Sequence, residues 1–454
     1  MVNTLYLPEL REMLAEQNRL ELGEFVTALH PARTAEFMEG LTAQECWAVL
    51  RHAEPALRAE IFTYFEHEKQ VEIIETQERP EIAQLLTDLP ADDRVDLLDD
   101  VDTDAVNEIL PLLPVEERRN VLRLRAYPEK SAGSIMTTEV AMVSETLTVR
   151  QALAELSHQG EHLEIIHYIY VVDDDDHLRG VVSSRQLVSA IGKPDTRLSE
   201  LMETELVSVN VLDDREDAVR RVAQYDLLAI PVVDAERRLV GIITHDDIID
   251  VVREEATADA HRIAGVSPLD QSYLKEGLLT LSWKRGIWLA ALFCAGIFTA
   301  FSLRHYDKRL EAVIWLIWFV PLVNSSGGNT GSQSATLIIT ALNAGDVSLR
   351  QWRKVVLREI AMGMVLGSFL ATMGLFASML LIPNWGWSHV MVFPLMLISV
   401  VVTGTLVGSL LPLLFQRMGL DPALMSNPFV SGIMDIVGIT TYMNVAAWLL
   451  QLAE

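Results

Sequence analysis

Apolar runs of membrane length appear only in the last two fifths of the chain. No charged residue lies between Gly286 and Leu303, between Glu311 and Asp346, or between Glu359 and Arg417. A spanning helix takes about 20 predominantly apolar residues, so the first run predicts one span and the second another, with an interruption. The third run is divided at Pro383-Asn384-Trp385-Gly386-Trp387 into two spans. Trp385 and Trp387 fall where an interfacial aromatic belt belongs. A fifth span runs from about Ser426 to Leu452. Earlier in the chain the pattern is different. Residues 1–130 show short amphipathic helical stretches separated by proline steps at His30-Pro31, Leu89-Pro90, Leu110-Pro111, Leu113-Pro114 and Tyr127-Pro128, the signature of stacked short helices.

Residues 131–255 contain an internal repeat. Ile169–Leu187 (IYVVDDDDHLRGVVSSRQL) matches Ile230–Ile248 (IPVVDAERRLVGIITHDDI) at a constant offset: Val171 on Val232, Asp173 on Asp234, Leu178 on Leu239, Gly180 on Gly241. Each copy reads as an apolar strand, a polar turn, a second strand and a helix start. A helical stretch (Thr148–Leu156, Glu216–Gln224) and a Met-Thr or Met-Glu-Thr opening at Met136 and Met202 precede each copy. The stretch from His245 to Gly265 lacks proline and has helical spacing, with Asp247, Asp250 and Glu254 along one face. The fold class is therefore a multidomain membrane protein: an all-α N-terminal superhelical domain (1–130), two α/β repeat domains (131–200 and 201–250), a connecting helix (246–270) and a five-helix transmembrane α bundle (271–454).

Charge divides the chain at the same place. The 454 residues carry 63 acidic and 36 basic side chains, a net charge of −27, yet the mean hydropathy is +0.24. Residues 1–270 hold 55 acids and 25 bases, a net of −30; residues 271–454 hold 8 and 11, a net of +3. A −30 module repels phosphate, which excludes a nucleic-acid partner. Cys46 and Cys294 alone exclude a disulfide scaffold. The opening MVNTLYLPELREMLAEQ has no apolar core, so no signal peptide is expected and the soluble half belongs in the cytoplasm. Five spans from a cytoplasmic N-terminus put the C-terminus outside a multi-pass cell membrane protein in the lipid bilayer. Lys275, Lys284, Arg285, Arg350, Arg353, Lys354, Arg358 and Arg417 then face the cytoplasm, against Arg304, Lys308 and Arg309 outside, in line with the positive-inside rule.

Two features of the apolar half exceed the needs of an anchor. In the second span, Pro321–Thr336 (PLVNSSGGNTGSQSAT) replaces apolar helix with amides, hydroxyls and glycines. Pro321 removes a helical hydrogen bond and the glycine pair tolerates non-helical dihedrals. Backbone freed at membrane depth is tolerable only where it is buried in protein or lines water, so this run predicts a break on a permeation path; its alternative is a small-residue packing surface. In the fifth span, Asp435 is the one acid expected well inside a span. A carboxylate at helix centre costs about 2.5–3.5 kcal/mol on insertion scales, and with no Lys or Arg beside it, a cation from solution is its expected counter-charge. Asn427, Ser431 and Asp435 share one helical face lined by oxygen-bearing side chains. Such donors select hard cations, and one Asp per chain suits an ion that keeps its water, as Mg²⁺ does. Mn²⁺, Co²⁺ and Ni²⁺ also suit a hydrated-ion site. Two chains on a two-fold axis would bring two Asp435 carboxylates to one pore, so a homodimer is the simplest assembly. The acidic faces of the soluble half would repel one another unless cations lay between them, which makes a cation sensor. A proton-exchanging carrier and a membrane-anchored nucleotide sensor are the competing readings. No nucleophile-base pair or Walker loop is present, so no catalysis is expected.

The repeat resembles the CBS domain pair, a family that often binds adenine nucleotides through an acid at the start of the final helix. That resemblance implies ATP at the pair, although Gln186 stands in the first copy where the second has Asp247. The whole chain resembles the MgtE family of magnesium channels, carried by the domain order and by PLVNSSGGNTGSQSATLIITAL in the second span with DPALMSNPFVSGIMDIVG (Asp421–Gly438) in the fifth. The resemblance implies a homodimeric Mg²⁺-selective channel closed by cytosolic Mg²⁺. Asp435 would bind hydrated Mg²⁺, with Asn427 and the Ser431 carbonyl on the same wall and Asn329 and Thr330 on the second-span wall. Regulatory cations would fall on Asp92, Asp96, Asp214, Glu216, Asp226, Asp246, Asp247, Asp250, Glu255, Asp259 and Asp421. Ala258 stands where an acid is common in the family.

Overall fold

A computed structural model of the chain describes residues 6–159, 163, 165–269, 273–274, 276–382 and 386–451. The expected boundary at Asp270, Lys275, and the Pro383-Asn384-Trp385 part of the divider lie outside the described residues, as does the side chain of Arg309. The chain divides into two compact units between Val252 and Arg253.

The first unit opens with short helices: α1 (Leu7–Glu16), α2 (Arg19–Ala28), α3 (Pro31–Met38), α4 (Ala43–Leu50), α5 (Pro55–Thr63), α6 (His67–Thr76), α7 (Arg79–Thr87), α8 (Ala91–Asp100), α9 (Thr103–Ile109) and α10 (Val115–Leu124). From α3 onward each helix packs on the one two positions ahead, through α8 on α10, which makes a superhelix. Proline opens α1, α3, α5 and α7, where its missing N–H costs nothing. Arginines close the helix ends: Arg58 donates to Leu50 O and Ala53 O, both at 3.1 Å. The buried Arg94 does the same for Leu86 O and Leu89 O.

The two repeat copies fold as β1 (Met142–Ser144), α11 (Val149–Gln159), β2 (Tyr168–Val172), β3 (Leu178–Ser183), α12 (Ser184–Ser189), and, after the short α13 (Leu198–Leu201), β4 (Val209–Asn210), α14 (Arg215–Tyr225), β5 (Ala229–Val233), β6 (Leu239–Thr244) and α15 (His245–Ile263). Each sheet has a parallel pair followed by an antiparallel pair. The repeat extends to the register. Val171 pairs with Gly180 and Val172 with Leu178 across a bulge; Val232 pairs with Gly241 and Val233 with Leu239 across the same bulge. The openings are exchanged. Met202 covers Gly180 of the first copy, where a Cβ would meet its side chain, and Thr137 lies against Gly241 of the second, where a Cβ would overlap the Thr137 carbonyl oxygen.

The second unit takes the rest of α15 and α16 (Leu278–His305), α17 (Asp307–Ala312), α18 (Leu316–Asn343), α19 (Trp352–Leu381), α20 (Trp387–Arg417) and α21 (Asn427–Leu450). Among the described residues four helices are long and apolar enough to cross a membrane: the segments Leu278–His305, Leu349–Leu381, His389–Arg417 and Asn427–Leu450. α18 is as long as α16 but is not among them. Its core side packs Leu316, Phe319 and Val323 with Phe393, Met396 and Val400 of α20 and Met434 and Tyr442 of α21, and Tyr442 Oη donates to Leu316 O at 2.8 Å.

The expected break in α18 does not occur. Pro321 and the Gly327-Gly328 pair lie within one continuous helix. The glycines bring backbones together instead: a Cβ on Gly404 would lie 2.9 Å from Gly327 O, and one on Gly408 would overlap Gly331 O. Helices in lipid gain little from hydrophobic burial and associate through such small-residue seams. The packing alternative therefore accounts for the glycines, and the amides and hydroxyls occupy the rest of the helix surface.

Candidate cation sites

α21 begins at Asn427, held by the Ser426 side chain, which accepts from Phe429 N at 3.4 Å, and by Pro428 in the first turn. Asn427, Ser431 and Asp435 follow at four-residue steps and are all half-buried. This face abuts the polar flank of α18. Ser332 Oγ donates to Asn427 O at 3.1 Å, and Thr336 Oγ1 to Asn427 Oδ1 at 3.0 Å. A Cβ on Gly328 would stand 2.5 Å from Ser431 Oγ. The carboxylate of Asp435 has no hydrogen bond or ion pair among the described residues. The second-span candidates divide. Thr330 is buried and its hydroxyl donates to Ser326 O at 2.7 Å within its own helix, so it does not join Asp435. Asn329 is exposed on the neighbouring stripe and donates to Ser325 Oγ at 3.3 Å.

Sequence reasoning missed two groups here. α18 and α21 run antiparallel, so one turn beyond the Gly328–Ser431 contact Asn324 comes level with Asp435, and its buried Oδ1 has no hydrogen-bond partner among the described residues. Its amide stood in the polar run, but only the register singles it out. The second is Glu359 in α19, which accepts from Ser334 Oγ of α18 at 2.7 Å, while its carbonyl accepts from Thr405 Oγ1 of α20 at 3.0 Å. Asp435 is therefore not alone as an acid inside a long helix of this unit. Glu359 follows a basic run and reads in sequence as a solvated span end.

At the end of α15 the structure brings Glu255, Asp259 and Asp421 around one guanidinium. Arg262 Nη1 lies 2.9 Å from Asp259, 3.5 Å from Asp421 and 4.0 Å from Glu255. Asn343 Nδ2 donates to Asp259 Oδ2 at 2.7 Å, linking α15 to the end of α18. Burial pushes the Asp259 carboxyl up, and Asp421 adds to this while Arg262 and Asn343 oppose it. α15 closes at Gly265 (φ +74°), whose position faces the Pro428 ring of α21.

In the first unit a cavity of about 340 Å³ is lined by acids from two regions: Glu60, Asp88, Asp92 and Asp93 from the α5 and α8 ends, Asp246 and Asp247 from the start of α15. Asp247 accepts from Thr244 Oγ1 at 2.5 Å and from Thr244 N at 3.2 Å. Its carboxyl is pushed up to about 8 by burial and by Asp92 and Asp246. Asp93 is raised to about 6 by burial, Asp246 and Asp250. Asp92, Asp246, Asp247 and Asp250 thus come together with Asp93, a neighbour that spacing alone did not single out. Asp96 is exposed on α8 and does not line the cavity. Asp214 caps α14, accepting from Glu216 N at 2.9 Å, whereas Asp226 closes the far end of that helix, roughly 18 Å away by helix rise, so the three do not form one site. Among the described residues no three His, Cys, Asp or Glu side chains converge tightly enough to grip a bare ion. All-oxygen donors spread round a cavity fit a cation held through its waters.

At the repeat pair, Gln186 sits third in α12, bonding back to Ser183 N at 2.7 Å and donating to Glu203 at 3.1 Å. Asp247 holds the equivalent place in α15 and makes the equivalent bonds to Thr244.

Residues 320–445 match the profile of the MgtE family, described as divalent cation transporter, residues 29–130 match the MgtE intracellular N domain, and 132–193 and 198–254 match the CBS domain. The chain is 37% identical to "Magnesium transporter MgtE" of Thermus thermophilus, across 97% of this chain and 98% of that one. It is 34% identical to the protein of the same name from Enterococcus faecalis across 74% and 73%. Among solved structures it resembles the soluble part of a magnesium transporter (34% identity, TM-score 0.51, 55% of this chain and 97% of that one). It also resembles the cytosolic domain of the Mg²⁺ channel MgtE in complex with ATP (36% identity, TM-score 0.50, 53% and 98%).

Proposed function

The chain belongs to the MgtE family of divalent cation transporters, and from that membership we propose that it is a Mg²⁺-selective channel, homodimeric, with Asp435 at the pore and closure driven by cytosolic Mg²⁺. The observation that carries this reading is the Asp435 carboxylate. It is half-buried in an apolar helix and has no protein partner among the described residues. A charge left so exposed to low dielectric is retained where a passing cation compensates it. Oxygen donors at Asn427, Ser431 and Asn324 suit the water shell of a hard dication better than its bare surface. A second copy across a two-fold axis would double the negative charge at that level.

Two acidic groupings support closure by cytosolic cations. Burial raises the carboxyls of Asp93 and Asp247, and neighbouring acids add to it: Asp246 and Asp250 at Asp93, Asp92 and Asp246 at Asp247. A divalent cation between Asp92, Asp93, Asp246, Asp247 and Asp250 would relieve the repulsion among them and favour the compact state. Glu255, Asp259 and Asp421 would act likewise where α15 meets the start of α21. We place the N-terminus in the cytoplasm and the C-terminus outside, with α18 completing five spans. ATP, present with the cytosolic domain of the Mg²⁺ channel MgtE, would here be held by the second repeat copy through Asp247.

The test is Mg²⁺ uptake into proteoliposomes by Asp435→Asn. Loss of uptake with the dimer intact by size-exclusion chromatography is expected. Uptake near the parent rate would remove Asp435 from the pore, and uptake that tracks a proton gradient would mean a coupled carrier.

A further inference from the structure

The membrane unit carries a cavity of about 610 Å³ with no acid in its lining. It lies between the turn Leu349–Gln351 that opens α19 and the last turns of α20, lined by Arg350, Trp352, Leu410, Leu413, Leu414 and Arg417. Two chemistries meet in it. Arg350 and Arg417 are both exposed, and neither makes an ion pair or hydrogen bond among the described residues. A guanidinium stays charged at any working pH, and its planar fork matches the oxygens of a phosphate. The remaining wall is hydrocarbon: Leu413 is buried, while Leu410 and Leu414 remain 40% and 50% exposed. Trp352 stands at the polar end, beneath the Arg353 guanidinium 5.5 Å from its ring centre.

A free phosphate would satisfy the two arginines and leave the leucines uncovered. A zwitterionic lipid would cover the leucines but bring a cation of its own beside the two arginines, leaving net positive charge uncompensated. We propose that this cavity holds an anionic phospholipid, its phosphate between Arg350 and Arg417 and its acyl chains along Leu410 and Leu414. Basic pockets between spans at the cytoplasmic leaflet suit such headgroups. That leaflet assignment rests on the orientation proposed above, while the pairing of charge with hydrocarbon does not.

Native mass spectrometry of the full-length protein in detergent tests this with dioleoylphosphatidylglycerol, the phosphatidylcholine of the same chains, and inorganic phosphate. Phosphatidylglycerol should stay bound at least tenfold more tightly than phosphatidylcholine. Arg350→Gln/Arg417→Gln should weaken it roughly tenfold, with unfolding temperature and Mg²⁺ uptake retained. If the double variant folds poorly, Arg417→Gln alone, an exposed change, should show a smaller loss of the same kind. Equal retention by parent and variant would mean unspecific lipid and overturn the proposal. Displacement of phosphatidylglycerol by inorganic phosphate at equal concentration would mean a free-anion site and overturn it too. The binding is read without an ion gradient, so a failed channel reading leaves this result untouched, and the reverse also holds.

Discussion

Gly408 of α20 is packed backbone to backbone against Gly331 of α18, with no room at 408 for a Cβ beside the Gly331 carbonyl oxygen. This contact sets how far α18 stands from α20, and α18 carries the polar flank that meets Asn427 and Ser431. A backbone oxygen cannot rotate aside, so Gly408→Ala must separate the two helices.

Gly408→Ala is therefore expected to cost about 1–3 kcal/mol, the usual range for overpacking, and to lower Mg²⁺ uptake by an order of magnitude. Gly328→Ala provides the contrast. Its added methyl meets Ser431 Oγ at 2.5 Å, but the serine Cβ lies at 3.5 Å, so the hydroxyl can swing away. That variant should keep nearly the parent unfolding temperature. Thermal unfolding of both in the same detergent decides the matter; equal stability would show that the seam between α18 and α20 is not tight.

Much of this arrangement was legible from residue spacing. The repeat at Val171/Val232 and Gly180/Gly241 carries its pairing and its bulge with it, because alternation and a glycine position specify a register locally. The Asn427-Ser431-Asp435 face follows from helical period alone. The glycines of α18 misled, since residues that break a helix in water are packing residues where neighbouring helices satisfy the backbone. Arg262 reads in sequence as one base at the end of an acidic helix, and its role appears only when α15 and Asp421 meet. Glu359 was hidden by its sequence position beside Arg358, and its bond to Ser334 joins residues far apart in the chain.

The acids of the first unit make its stability depend on pH in an unusual direction. Asp247 is raised to about 8 and Asp93 to about 6, both from 3.8. Between those values the folded state binds more protons than the unfolded one, so stability is full below about pH 4 for these groups and is lost as pH rises toward 8. A tenfold difference in proton affinity between the two states corresponds to about 1.4 kcal/mol, worth roughly 2–4 °C in a domain of this size. Residues 1–252, whose cores are built from their own side chains, should melt several degrees higher at pH 5.5 than at pH 8 in a chelator. Millimolar Mg²⁺ at pH 8 should recover most of that difference, and Asp247→Asn should flatten the profile. A melting temperature that climbs with pH would contradict the burial and crowding of these carboxylates, on which cation bridging depends.

Arg262 occupies the point where Glu255, Asp259 and Asp421 face one another. It is a monocation on a tether, and it neutralises in part the same acids that a divalent cation would bridge. Removing it leaves three carboxylates with Asn343 as the remaining donor to Asp259. The repulsion between them then rises, and a divalent cation gains more by binding. Arg262→Gln should therefore close at a lower cytosolic Mg²⁺ concentration, by about fivefold or more if the coupling is of ordinary size. Arg262→Lys keeps the charge without the planar fork and should fall between the two. Patch recordings with Mg²⁺ varied on the cytosolic face give the half-inhibiting concentration directly. If that concentration rises instead, the guanidinium is a clamp that holds α15 in place and does not compete with the cation.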